Sequence, residues 1–386
     1  MRVFHLITHF DLGGAERVAA NIAVSRTPDM EYHVVEMVRG RSAYTPKFIA
    51  ELRAEGVVCH RSLMPDVRFH FLFERIAALL FPLRMLYIML RWRPDVIHSH
   101  TEAPDMCLYA FARLFPWMLR RTRIVRTLHN TRLWSGLPWL ARHVEAFFGE
   151  HNASVAISDS VRDAYKERFG VVTPIIHNGV AAVEQRRYPG LPSDRINILF
   201  AGRLEPQKGV ATLCEVISRL DACSRFHFVI AGDGSLRQLV EQTLHGAQPL
   251  RGAVMVEPIF SLASYMASFD YLFMPSEFEG LSMLSMEASV NRLPVIANRA
   301  PGLRDTLPDD WPLMVDGNNT DRFVDLFINV LPTVNREELA DKASAFAREN
   351  FSVEAMQRSY EQVYRGEKYN YNNQTMHSAE CHKSEF

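Results

Sequence analysis

The second half of the sequence holds two cations and two carboxylates whose spacing allows chemistry. Arg203 and Lys208 lie five residues apart in Gly202-Arg203-Leu204-Glu205-Pro206-Gln207-Lys208-Gly209, directly after the apolar run 196–201. At the carboxyl end of a strand, a planar guanidinium and a point-charge ammonium could clamp a diphosphate and neutralise charge that develops as it departs. In an arbitrary loop the same pair is two solvated cations. Further on, Pro275–Ala288 sets Glu279 on a loop after a strand, Ser282 at a helix N-cap position and Glu287 inside the helix that follows. The amides of Met283, Leu284 and Ser285 would then open a helix N-terminus, which favours an anion. Carboxylates flanking an anion site read as acceptors for sugar hydroxyls, Glu287 for a ribose diol and Glu279 for a hydroxyl of a transferred hexose. The plainer alternative is a pair of surface acids. Against it stand the surrounding Met and Leu residues, which argue for burial, where an unpaired carboxylate is costly.

Two glycine turns accompany this set. Gly232-Asp233-Gly234 ends the run 226–231, and glycines there let a planar base or ribose approach the backbone. Asp233 is either a ligand group or an ordinary turn residue. In the first half, His9-Phe10-Asp11-Leu12-Gly13-Gly14-Ala15-Glu16-Arg17 is either a tight turn or a place where amides meet an anion or a sugar oxygen. It is not Gly-x-Gly-x-x-Gly, so a nicotinamide or flavin enzyme gains no support.

The elements that must hold these residues follow an α/β rhythm. Runs at 3–8, 32–38, 57–63, 96–100, 124–129, 154–158 and 175–180 read as strands separated by helical patterns. A polar stretch intervenes, and the rhythm restarts at 196–201, 226–231, 254–258, 271–275 and 294–297. The expected architecture is α/β: an N-terminal Rossmann-like domain over 1–180, a linker at 181–195 and a second such domain over 196–350. A helix at 351–365 should return to the first domain, and 366–386 read as a disordered tail. Doubly wound sheets bind ligands at their carboxyl ends, so the cleft where two such domains face each other is the expected site.

A chain of 386 residues that is 48% hydrophobic has room for two cores, and a disordered or fibrous protein is excluded. The net charge of −1 hides an asymmetry. Residues 1–170 carry 23 Lys+Arg against 17 Asp+Glu, a net of +6, leaving 20 against 27 for the remainder. The first half should therefore prefer anionic surroundings. Cys59, Cys107, Cys214, Cys223 and Cys381 include no Cys-x-x-Cys pair, which argues against a disulfide framework or a zinc site and fits a reducing cytoplasm. The opening residues, interrupted by His5 and His9, do not read as an export signal.

In order, the Gly-Gly turn, Gly-Arg-x4-Lys, Gly-Asp-Gly and Glu-x7-Glu resemble the family 4 retaining glycosyltransferases of GT-B fold over roughly residues 1–365. The resemblance implies transfer of a sugar from a UDP- or GDP-sugar to a saccharide or lipid-linked saccharide in cell-surface polysaccharide synthesis. Glu279 and Glu287 match that family's two glutamates, and Arg203 with Lys208 its diphosphate-binding pair. His129, in Arg126-Thr127-Leu128-His129-Asn130-Thr131, matches its cleft histidine near the donor sugar, although a single histidine at a strand end is commonly structural. The segments 156–160 and 176–180 resemble the family's passage toward the hinge. Retention with the donor's own phosphate taking the acceptor proton would account for the lack of an obvious protein nucleophile. Two departures border the sugar pocket: Glu279-Gly280-Leu281-Ser282 in place of Glu-Gly-Phe-Gly, and Asn291-Arg292-Leu293-Pro294 without the usual glycine before a strand. No Asp-x-Asp triplet occurs, so no cofactor and a metal-independent reaction are expected, with a nucleotide sugar as co-substrate and no nucleic-acid partner. A nucleotide-sugar epimerase and an inactive sugar-nucleotide-binding protein are the alternatives on the same architecture.

The run 69–93 is strongly apolar, yet Glu74, Arg75 and Arg84 break it short of a membrane span. With 115–123 it makes either core helices or an aromatic and basic face that rests on the inner side of an anionic membrane.

Overall fold

The computed structural model describes residues 1–367 apart from 12, 26, 63–69, 135–137 and 247–248. Two compact units emerge, one of Met1–Gly179 with the chain from Val353, the other Val180–Ser352. The first holds β1 (Arg2–Ile7), β2 (Glu31–Glu36), β3 (Val58–His60), β4 (Val96–His100), β5 (Arg123–Leu128) and β6 (Ser154–Ala156). They form one parallel sheet in the order β3-β2-β1-β4-β5-β6. The second unit repeats the plan with β7 (Ile196–Ala201), β8 (Phe226–Ala231), β9 (Ala253–Val256), β10 (Tyr271–Met274), β11 (Val295–Asn298) and β12 (Met314–Val315). Its order is β12-β11-β10-β7-β8-β9, again parallel throughout. Each sheet is therefore a Rossmann-like doubly wound sheet, and its strand order reverses between β1 and β4 or between β7 and β10.

Central parallel strands are covered by helices on both faces and so read as near-continuous apolar runs. In β7, Ile198, Leu199, Phe200 and Ala201 are all buried. The covering helices are amphipathic. Val210–Leu220 turns Val210, Leu213, Cys214, Ile217 and Leu220 inward, the spacing of one helix face. Helix Val353–Arg365 buries Met356, Tyr360 and Tyr364 at successive i, i+4 positions, packs on the first unit, and binds β5 through a 2.7 Å hydrogen bond between Tyr360 OH and Thr127 Oγ1. Each such buried aromatic contributes about 2–3 kcal/mol.

Two segments depart from the sequence-based expectation. The run 175–180 is not a strand: Ile175 bridges only Ala156, and Val180 bridges only Ser352. Its two ends find different partners, so no ladder can propagate between them. The stretch expected to be a linker, 181–195, is fastened to the second unit. The Val183 amide donates to Asn291 Oδ1 at 3.0 Å, Gln185 Nε2 to the Ala263 carbonyl at 2.9 Å and the Tyr188 amide to Ser268 Oγ at 2.8 Å. Of the expected tail 366–386, residues 368–386 lie outside the described residues. The final strand pair of the second sheet, only two residues of β12, carried no run long enough to be read from sequence.

One buried ion cluster stabilises the first unit. Arg126 on β5 donates to both Glu145 oxygens, at 2.8 and 2.7 Å, and its guanidinium lies 4.3 Å from the Phe148 ring centroid. Asp105 faces the same cation at 3.6 Å, with Oδ1 buried and unpaired. Because Glu145 already neutralises Arg126, burial dominates at Asp105 and pushes its carboxyl up to about 7, with the charges of Glu145 and Glu102 adding to the rise. A folded-state pKa above the unfolded one gives stability that is complete at low pH and is lost as pH rises through about 7. Asp105→Asn should therefore flatten the fall in unfolding free energy between pH 5 and 8 by the order of 2 kcal/mol, measured by denaturant titration at each pH.

Candidate active site

At the reversal point of the second sheet, the loops after β7 and β10 are laced together. The Pro206–Lys208 turn follows β7, and Gln207 reaches the β10 loop twice: its carbonyl accepts from the Glu277 amide at 2.8 Å, and its Nε2 donates to the Phe278 carbonyl at 3.1 Å. Beside them Lys208 Nζ lies 2.6 Å from Glu279 Oε1. Glu279 is buried and Lys208 largely so. Two opposite charges at such a spot stabilise each other only when paired, since either alone would bear its desolvation cost uncompensated. Arg203 stands apart on the exposed side of the β7 loop, 3.5 Å from Gln207 Oε1.

The helix after this loop, Met283–Val290, begins as its sequence suggests. Ser282 is its N-cap, and Ser282 Oγ accepts from the Ser285 amide at 3.3 Å. That amide is thereby satisfied internally, contrary to the expectation that three amides are open. The amides of Met283 and Leu284 take no acceptor among the described residues, so two donors with the positive end of a short helix remain at its mouth. Glu287 lies half-buried one turn further along the helix.

The glycines have reasons internal to the protein. A Cβ on Gly232 would stand 2.0 Å from the Gly202 carbonyl oxygen, and one on Gly234 would stand 2.6 Å from the Leu204 carbonyl oxygen. These residues let the β8 turn pack on the β7 turn, a role the ligand-based reading of Gly232 and Gly234 did not foresee. Asp233 is an exposed turn residue whose carbonyl accepts from the Leu204 amide at 2.9 Å and whose Oδ1 accepts from the Gly234 amide at 2.9 Å. Two glycines escaped sequence reasoning. Gly209, at φ +67°, passes so close to Pro275 that a Cβ would sit 1.8 Å from its carbonyl oxygen. Gly302, at φ +73°, would bring a Cβ to 2.2 Å from the Glu279 carbonyl oxygen, and the Glu279 amide donates to the Pro301 carbonyl at 2.9 Å. The dipeptide Pro301-Gly302 was the available signal: a tight turn after a strand.

In the first unit, His129 follows β5 directly, and its Nε2 lies 3.1 Å from Nδ1 of His100, the last residue of β4. Burial holds the His129 imidazole far below its ordinary range, at about 3, so it is neutral at pH 7. Gly13 caps the helix Gly14–Ala23 with extended backbone, and the Glu16 carboxylate lies over it: a Cβ on Gly13 would meet Glu16 Oε2 at 2.0 Å. An anion at Gly13 and Gly14 would meet this carboxylate, which weakens the diphosphate reading of that turn. Nearby Asp11 gathers the Arg41 and Ser42 amides at 3.2 and 3.1 Å and both the Ser42 and Thr45 hydroxyls. Burial alone would raise its carboxyl, but those hydrogen bonds outweigh burial and hold it below its usual value. The loop after β1 is in this way tied to the start of helix Thr45–Ala54.

Residues 12–183 match the family model described as Glycosyltransferase Family 4, and residues 195–332 match the one described as Glycosyl transferases group 1. An uncharacterized glycosyltransferase of Methanocaldococcus jannaschii is 27% identical over 64% of this chain and 67% of its own length. The alpha-D-kanosaminyltransferase of Streptomyces kanamyceticus is 23% identical over 70% of this chain and 76% of its own. Among solved structures, Anabaena HepE in complex with UDP and glucose superposes with a TM-score of 0.77 at 16% identity, covering 95% of this chain and 99% of that one.

Gly302→Ala places a methyl group against the Glu279 carbonyl in left-handed backbone, and should lower the unfolding free energy by about 2 kcal/mol or more. Gly317, at φ +74° with open space around it, provides the comparison. Gly317→Ala should cost only the backbone strain, about 1 kcal/mol, by the same thermal or denaturant measurement.

Proposed function

The chain belongs to glycosyltransferase family 4 and has the GT-B fold, and from that premise we propose that it transfers a sugar with retention from a nucleotide diphosphate sugar to a saccharide or lipid-linked saccharide. It is a glycosyltransferase, which sets aside the epimerase reading. The observation that carries the finer reading is the 2.6 Å Lys208–Glu279 pair at the reversal point of the second sheet, beside the open amides of Met283 and Leu284. A diphosphate arriving there offers Lys208 a doubly charged partner in exchange for a single carboxylate. Glu279, released, then accepts a hydrogen bond from a hydroxyl of the donor hexose, while Arg203 and the helix-end amides take up charge developing on the departing diphosphate. Glu287 accepts from the ribose diol, and Gly232, Asp233 and Gly234 border the nucleoside. The acceptor hydroxyl attacks the anomeric carbon on the face the diphosphate leaves, and its proton passes to a phosphate oxygen of that leaving group. No protein nucleophile is required, and His129 attends the donor sugar. Structures of Anabaena HepE with UDP, UDP and glucose, and UDP-glucose support UDP-sugars as the donors to try first.

The acceptor reading draws on the helix His70–Trp92. No helix among the described residues is long and apolar enough to cross a membrane. This one buries Phe81, Met85, Ile88 and Met89 on its inner side, where Arg84 donates to the carbonyls of Glu36, His60 and Arg61. Its outer side exposes Leu79 (78%), Leu83 (59%), Tyr87 (67%) and Leu90 (61%), a stripe at i, i+4, i+8 and i+11. Exposed Trp117 and the neighbouring Arg120 and Arg121 add aromatic and basic groups. Such a stripe fits an anionic membrane surface on the cytoplasmic side, where a lipid-linked acceptor would be met.

Lys208→Ala, Arg203→Ala and Glu287→Ala should each lower kcat/KM for the donor at least about tenfold, roughly 1.4 kcal/mol. Unchanged kinetics in all three would remove the proposed site. UDP- and GDP-sugars should separate in a thermal-shift screen, because a ligand that binds only the folded protein raises its melting temperature. Leu79→Ser with Leu83→Ser should reduce co-sedimentation with phosphatidylglycerol vesicles without lowering the melting temperature, and equal sedimentation would end the membrane reading.

A further inference from the structure

The first sheet carries a cluster that the transfer reaction does not use directly. His5 on β1 is the register partner of His98 on β4, and His100 lies two residues further along the same face. All three are fully buried. His5 Nδ1 lies 3.0 Å from His100 Nε2, and His100 Nδ1 lies 3.1 Å from His129 Nε2. The string therefore runs from the interior to the residue at the carboxyl edge. His98 stands beside it with both nitrogens engaged, Nδ1 with Tyr364 OH and Nε2 with Thr127 Oγ1, each at 2.7 Å. The groups packed around the string are His98, Tyr32, Tyr360, Tyr364 and Thr127, none of them a carboxylate that could stabilise an imidazolium.

Neutral imidazole carries one N–H and one lone pair. His100 is bonded through both nitrogens, so it must donate through one and accept through the other. Two directions are possible, and the inner end of the string decides between them. His5 Nε2 is buried without a partner. If His100 donated to His5 Nδ1, the His5 proton would sit on Nε2 as a buried N–H with no acceptor, which is rare and costs the full desolvation of a donor. If His5 Nδ1 donates instead, the unpartnered atom is only a lone pair. His100 then passes its own Nδ1–H to His129 Nε2, which leaves the His129 proton on Nδ1, a nitrogen with no partner among the described residues.

We propose that His5 and His100 are positioning residues that hold His129 as the Nδ1–H tautomer, so that it meets the donor sugar as a hydrogen-bond donor and not as a base. The role at the sugar rests on the function proposed above; the tautomer does not. His5, His98 and His100 also lie close enough together to chelate a metal ion, but five of their six ring nitrogens are already in hydrogen bonds that an ion would have to break.

Long-range imidazole proton–nitrogen correlation spectra of the full chain labelled at histidine test this directly, with His129 assigned by His129→Gln. Nδ1 protonation of His5, His100 and His129 at pH 7 is expected. His5→Leu removes the first donor and should shift His129 toward the Nε2–H form, while His5→Asn, whose amide N–H overlays Nδ1, should restore it. In parallel, kcat should fall about tenfold in His5→Leu with donor KM little changed, and recover in His5→Asn. An Nε2–H or doubly protonated His129 in the wild type overturns the proposal even if no variant folds. So does a His129 signal indifferent to His5→Leu, or stoichiometric zinc in the purified protein. UDP-glucose should shift the His129 signal; if the tautomer is as expected but that shift is absent, the string stands and the role at the sugar falls.

Discussion

A lysine ammonium and a glutamate carboxylate held 2.6 Å apart join the loops that follow β7 and β10 in the second unit. Both groups are drawn out of water by the loops around them, and each makes the other tolerable there. The pair is surrounded by backbone contacts that leave it little freedom. Gln207 ties down Glu277 and Phe278, Pro301 holds the Glu279 amide, and Gly209 and Gly302 remove the side chains that would push the loops apart. Loops tied together in this way keep their charges and amides in fixed positions, which is the condition for electrostatic stabilisation without reorganisation.

The first unit solves a related problem with different chemistry. Its sheet buries Arg126 against Glu145 on one face, and on the other a group of histidines against the tyrosines of the last helix. In both places polar side chains sit within a parallel sheet, where unpaired groups are most costly, and in both nearly every polar atom has a partner. Two of the exceptions, Asp105 Oδ1 and His5 Nε2, are informative. One raises a carboxyl pKa, and the other sets the direction of a hydrogen-bonded string. Helix Val353–Arg365 matters to the second of these networks because Tyr360 and Tyr364 close it from above.

Chain position and residue type alone were enough for the two α/β units, for eleven of the twelve strands to within three residues of their observed ends, and for the Ser282 cap. These features are local: a strand covered on both faces must be apolar along its length, and a cap must be a short polar residue. What required three dimensions were relations between residues far apart in sequence. Lys208 and Glu279 are 71 positions apart, and His5 and His100 are 95 apart. Sequence reasoning assigned Gly232 and Gly234 to a ligand because it could not see the Gly202 and Leu204 backbone that fills the space beside them. It expected a strand at 175–180 because apolar alternation does not reveal whether a neighbour is present to pair with. Composition and pattern thus determined which elements form, because burial on both faces of a strand is written into its residues, whereas only the packing of strands and turns decided which side chains touch and which amides remain open.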